Sequence, residues 1–165
     1  MALSPQVMSL ITEIHSSLLE KGQTLSTAES LTGGGLSSAL TSLPGSSHTF
    51  IGGITAYRSE IKVLQLGIDP DLIEKFGVVS LEVAEAMAQG ALKMFGTTWA
   101  ISTTGVAGPG PSDGVAAGTV WVAIAGPTAH RFELSLDGER EVVRNATIAS
   151  AIGAFARILR VHQDT

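Results

Sequence analysis

Thr24-Leu25-Ser26-Thr27-Ala28-Glu29-Ser30-Leu31-Thr32-Gly33-Gly34-Gly35 is the stretch that decides the fold. Residues 24–27 lean toward a strand, the run breaks at Ala28-Glu29-Ser30, and after the three glycines Leu36, Leu40 and Leu43 return at helical spacing until Pro44-Gly45. A strand that turns through glycines into a helix is the first half of an α/β unit. At such a hinge a side chain projects from the carboxyl edge of the sheet, and glycines let backbone N–H groups approach a ligand. Ser30 is therefore a candidate nucleophile, and the N–H groups near Thr32, Gly33 and Gly34 are candidate donors to an oxyanion or phosphate. The plainer alternative is that Ser30 or Thr32 only caps the helix.

The same alternation extends in both directions. Residues 6–20 carry Val7, Leu10, Ile11, Ile14 and Leu18 at helical spacing, behind Ser4-Pro5 and ahead of Gly22. Strand-like residues 50–57 lead into a short helix at 59–66, and a further small helix is predicted at 71–76. Ser80 reads as the cap of a helix at 81–95, closed by Gly96. A strand at 99–103, a loop of Gly, Pro, Ser and Asp at 104–117, strands at 118–125 and 130–136, and a closing helix at 139–161 complete the chain. The expected fold is one domain over 1–165, a three-layer α/β/α sandwich on a mixed, mostly parallel sheet.

Composition narrows the function classes. The 165 residues are 44% hydrophobic and 15% charged, and 10 Lys+Arg against 15 Asp+Glu give a formal charge of −5. With a mean hydropathy of +0.32 and a pI near 5.3, a non-specific nucleic-acid binder is not expected. There is no Cys, which removes disulfides, thiolate metal sites and a Cys nucleophile. His15, His48, His130 and His162 show no i,i+4 pairing of the zinc-protease kind. Residues 1–10 lack the basic and apolar regions of a signal peptide, and no run approaches the ~18 apolar residues of a membrane span. A soluble cytoplasmic protein without membrane partners is expected. The apolar balance leads to an expectation of self-association, most simply a symmetric dimer.

Two further stretches carry chemistry. In Tyr57-Arg58-Ser59-Glu60-Ile61-Lys62, a desolvated lysine can act as the base for a serine hydroxyl, and Ser-Lys chemistry is the nucleophilic scheme this composition permits most readily. Ser59 and Lys62 also form a literal S-x-x-K, so either serine could be the lysine's partner. The alternative is a helix whose first turn and solvated face these residues supply. The glycine-rich run 103–114 follows a strand, as a phosphate-cradling loop does, without the spacing of a dinucleotide or Walker motif. Arg140 and Arg144 lie four apart at the start of the last helix and could clamp an anion, or could be solvated surface arginines.

Taken together, Thr27-Ala28-Glu29-Ser30-Leu31-Thr32-Gly33-Gly34, Phe50-Ile51-Gly52-Gly53-Ile54-Thr55-Ala56-Tyr57, Lys62, Gly77-Val78-Val79-Ser80, Thr104-Gly105-Val106-Ala107-Gly108-Pro109-Gly110 and Gly118-Thr119-Val120-Trp121 resemble the CinA C-terminal domain family, the nicotinamide-nucleotide amidohydrolases. The resemblance runs in order over almost the whole chain. It implies hydrolysis of the carboxamide of nicotinamide mononucleotide (NMN) to nicotinic acid mononucleotide and ammonia, a step of pyridine-nucleotide salvage, with no metal and no cofactor. The matching positions imply Ser30 as nucleophile, Lys62 as base and Tyr57 as an assisting hydroxyl. Substrate contacts are expected at Thr32, Gly33 and Gly34, at Thr104, Gly105, Ala107 and Gly108, and at Arg140 or Arg144. Where the family usually has Cys, Asn and Gly-Gly, this chain has Leu31, Ser59 and Gly110-Pro111. Many relatives carry a larger molybdopterin-binding-like domain ahead of this one, so the stand-alone form is expected. Two competing readings are a nucleotide-binding or regulatory module without turnover, tied to competence or DNA damage, and a serine amidase or esterase with another substrate.

Overall fold

The structure, a computed structural model, describes residues 3–162; the first two and last three residues of the predicted 1–165 domain lie outside that span. In chain order it contains α1 (Pro5–Glu20), β1 (Leu25–Glu29), α2 (Gly35–Leu40), a 3₁₀ turn (Ser46–His48), β2 (Phe50–Thr55), α3 (Ser59–Leu66), α4 (Pro70–Phe76), α5 (Leu81–Phe95), β3 (Trp99–Gly105), β4 (Thr119–Ala125), β5 (His130–Ser135) and α6 (Arg140–Val161). The strands form one sheet in the order β2-β1-β3-β4-β5. β1 pairs in parallel with β2 and β3, and β4 pairs antiparallel with β3 and β5. Only β4 opposes the common direction, so the sheet is mixed and mostly parallel.

Strand alternation sorts the side chains between two cores. Leu25, Trp99, Ile101, Val120, Val122 and Ile124 face one side, where they pack with residues of α1, α2 and α6. Ala28 and Ala100 face the other, against Val83, Met87 and Ala91 of α5 and Leu66 of α3. β1 is buried along its whole length, as a parallel strand covered on both faces must be. α6 is the one described helix long and apolar enough to cross a membrane. Along it Val143, Ile148, Ile152, Phe155 and Leu159 are buried in the core, while Val142 and Val161 are exposed.

The helix boundaries follow local chemistry. The Ser4 hydroxyl accepts the Val7 N–H and the Ser80 hydroxyl accepts the Val83 N–H, each satisfying a first-turn donor. α2 stops at Leu40 rather than running on to Leu43, and β3 continues through Gly105, beyond the predicted 103. The 3₁₀ turn at Ser46–His48 has no periodicity that would have announced it.

Gly90 shows packing overruling propensity. Alanine inside a helix is ordinarily favoured over glycine by about 1 kcal/mol. A Cβ at Gly90, however, would lie 2.4 Å from the Leu66 carbonyl oxygen at the end of α3, a backbone atom that cannot swing aside. Gly90→Ala is expected to destabilise the fold by about 1–3 kcal/mol in urea unfolding. A stabilised variant would show that α5 and α3 are not packed this closely.

Candidate active site

The chain leaves β1 toward α2 on one face of the sheet and leaves β2 toward α3 on the other. In the strand order β2-β1-β3 the topological switch point therefore lies at the carboxyl end of β1, between β1 and β3, where an open α/β sheet leaves a crevice. Ser30 follows β1 directly, while Ala56, Tyr57 and α3 follow β2. A cavity of about 550 Å³ opens there, lined by Ser30, Leu31, the 57–60 segment with Ser59, Lys62, the 76–79 segment, the 104–113 loop and Arg140. That volume lies within the range of small-molecule sites.

Lys62 lies at its base and is 1% exposed. Helical side chains point back toward the helix N-terminus, which carries its amine over the chain entering α3. Lys62 Nζ lies 2.9 Å from Ser30 Oγ, 2.7 Å from the Ala56 carbonyl oxygen and 3.3 Å from that of Tyr57. Burial lowers its pKa from the ordinary 10.5 to about 8. A neutral amine has two hydrogens and one lone pair, and carbonyls can only accept. With both hydrogens on Ala56 and Tyr57, the lone pair is left to the Ser30 hydroxyl. Lys62 therefore pairs with Ser30, and Ser59, exposed in the first turn of α3, is not its partner.

Tyr57 lines the cavity and is 53% exposed. Its hydroxyl oxygen accepts from Arg140 Nη2 at 2.7 Å, which leaves the phenolic proton to be donated elsewhere. Arg140 Nη1 donates to the Gly108 carbonyl at 2.9 Å, so one guanidinium bridges the β2–α3 corner and the glycine-rich loop. Thr104, Gly105, Ala107 and Gly108 all line the cavity. Thr104 Oγ1 donates to the Val78 carbonyl at 2.8 Å and ties the 77–79 segment to β3. Gly105 has a packing role as well, because a Cβ there would meet the Thr119 carbonyl at 2.7 Å.

Thr32, Gly33, Gly34 and Arg144, also expected at the substrate, do not line this cavity; Arg144 lines an adjoining one that shares Arg140 and residues 108–110 with it. The Gly33 N–H donates to the Ser30 carbonyl at 3.0 Å and the Gly35 N–H to that of Thr32 at 2.9 Å. The Thr32 hydroxyl is buried against Glu29. Arg144 braces the turn from outside, donating to the Leu31 and Thr32 carbonyls at 3.1 and 3.2 Å. Phe76, Val78 and Val79 supply an apolar wall; the last two belong to the motif at 77–80, to which the sequence reading gave no role at the site. The Glu29 carboxylate was also missed, although a charged residue closing a strand directly before Ser30 was a visible signal.

A three-layer α/β domain with a buried, lysine-paired serine at its switch point is the class that this geometry defines. The chain belongs to the CinA C-terminal domain family, whose model matches residues 7–159. A CinA-like protein of Synechocystis sp. is 43% identical over 148 residues, covering 87% of this chain and 36% of the relative. One from Cyanothece sp. is 45% identical over 155 residues, covering 92% and 37%. The chain thus spans little more than a third of the length of these relatives. Among solved structures, the competence/damage inducible protein CihA from Agrobacterium tumefaciens superimposes with a TM-score of 0.90 at 33% identity, covering 97% of this chain and 99% of that one. The competence damage-inducible protein A (ComA) from Klebsiella pneumoniae gives 0.90 at 29%, covering 93% and 97%.

Proposed function

We propose that the chain is an amidohydrolase that converts NMN and water into nicotinic acid mononucleotide and ammonia through an acyl-Ser30 intermediate. The observation that carries this reading is the 2.9 Å contact between Ser30 Oγ and a buried lysine amine whose pKa lies near 8. Neutral Lys62 takes the Ser30 proton as Oγ attacks the carboxamide carbon. The tetrahedral intermediate collapses by breaking the C–N bond as Lys62 returns its proton to the leaving nitrogen, directly or relayed through the Tyr57 hydroxyl, so that ammonia leaves and the amine is neutral again. Lys62 then activates a water that cleaves the Ser30 ester, releasing the carboxylate and restoring the serine. Oxyanion donors are assigned to the cavity-lining backbone N–H groups of Leu31, Ala107, Gly108 and Gly110, since Gly33 and Gly35 use theirs within the turn. The wall of Tyr57, Phe76, Val78 and Val79 suits a flat pyridine ring, and Arg140 is the cation assigned to the phosphate.

Ammonia release from NMN, set beside a panel of amides and esters lacking phosphate, tests this reading. Turnover confined to phosphate-bearing carboxamides supports it. Equal turnover of simple esters indicates a general serine esterase, and binding without turnover a regulatory module. The lysine also sets the pH dependence. Only the neutral amine is competent, so kcat/KM is expected to rise close to tenfold per pH unit below about 8 and to level above it. A profile flat from pH 6 to 9 would exclude Lys62 as the base.

A further inference from the structure

Glu29 is fully buried and points away from the cavity, into the start of α2. Its Oε1 accepts the Leu36 N–H at 2.8 Å and the Thr32 hydroxyl at 2.7 Å. Its Oε2 accepts the Ser37 N–H at 3.0 Å and the Ser37 hydroxyl at 2.7 Å. Each hydroxyl has one proton, so those of Thr32 and Ser37 are committed to the carboxylate. Thr103, 2.8 Å from Thr32 Oγ1, must then donate to Thr32, and Thr27, 2.7 Å from Ser37 Oγ, must donate to Ser37. Two hydroxyl chains with fixed direction therefore converge on one carboxylate, linking β1, β3 and α2.

Ser30 sits in the middle of this frame. Its N–H donates to the Thr103 carbonyl at 3.0 Å, and its carbonyl accepts from Gly33. Arg144 holds the next two carbonyls from the opposite side. The Ser30 side chain has only Lys62 and, at a long 3.5 Å, the Tyr57 carbonyl to hold it, so its position is set by the backbone. We propose that Glu29 is a positioning residue: its carboxylate locks the β1–α2 turn and so keeps Ser30 Oγ in line with the Lys62 amine. An error of about 1 Å in such a placement can cost about 10²-fold in rate.

Glu29→Gln tests the proposal. The amide keeps the volume but turns one acceptor into an NH₂ group, which opposes the donors on its side. The proposal rests on Ser30 being the nucleophile, so two readouts are taken on protein shown to be folded by circular dichroism. In NMN turnover, kcat is expected to fall about 10- to 100-fold with KM within about threefold. In labelling by a fluorophosphonate, which reports Ser30 reactivity whatever the natural substrate, the rate is expected to fall by a similar factor. Ser37→Ala, which removes one arm and leaves the carboxylate, is the milder variant should Glu29→Gln not fold; it is expected to lower both rates about three- to tenfold. Wild-type kcat and labelling rates in a folded but less stable variant would overturn the proposal and leave Glu29 a purely structural cap. Labelling without any wild-type turnover of NMN would overturn the substrate and leave the positioning role standing.

Discussion

Ser30→Ala is expected to lower ammonia release from NMN by on the order of 10³-fold or more while leaving the fold intact. The substitution removes the one atom that forms the acyl bond. It takes away the hydrogen bond to Lys62, a long one to the Tyr57 carbonyl and no packing beyond an oxygen, so the stability change is held to about 1 kcal/mol. Ser59→Ala is the matched comparison. That residue shares with Lys62 the spacing of a known acyl-enzyme motif, yet lies exposed at the start of α3 while the Lys62 amine is committed to Ser30, Ala56 and Tyr57. Its alanine variant is expected to keep turnover within the same order of magnitude. Measuring both variants beside wild type decides the nucleophile, and loss of activity in Ser59→Ala alone would reverse the assignment.

Lys62→Met is expected to be as damaging to turnover, and it carries a second signature in stability. The amine titrates near 8 in the folded protein and near 10.5 when unfolded, so between those values the unfolded chain binds more protons. Stability attributable to Lys62 therefore rises with pH through that window. The full difference is about 3 kcal/mol at 1.36 kcal/mol per unit, and burying the charged form opposes folding by that amount below pH 8. The methionine variant lacks the term, so the difference between the two unfolding free energies should change across pH 8 to 10.5 and stay constant below it. A pH-independent difference would mean that the amine is not desolvated. Methionine is preferred to alanine because it fills most of the space of a side chain that is 1% exposed.

Much of this architecture was legible because the signals were local. The helices at 59–66 and 81–95 were bounded by Gly67, Ser80 and Gly96, residues that set caps by their own conformation and hydrogen bonding. The mixed sheet followed from the short turn at Gly126-Pro127, which two antiparallel strands can share and a parallel crossover cannot. The site was legible as a set of residues, yet its pairings were not. Ser59 and Lys62 share a helix face by spacing, whereas Ser30 reaches Lys62 only because parallel pairing of β1 and β2 brings their carboxyl ends together. The glycines after Ser30 read equally well as ligand donors and as a turn: Gly33 and Gly35 use their N–H groups inside the turn, and the Glu29 carboxylate takes the Leu36 and Ser37 N–H groups at the start of α2. Arg140 and Arg144 looked equivalent four residues apart, but one turn of α6 places the first on the cavity and the second behind the turn that carries Ser30.

The most direct test of the central claim is product analysis of NMN incubated with the purified chain near pH 8, following ammonia and nicotinic acid mononucleotide together. The account predicts that the two form in equal amounts and that neither forms with Ser30→Ala or Lys62→Met. NMN left intact by folded wild-type protein, or consumed equally well by the Ser30 variant, would contradict it.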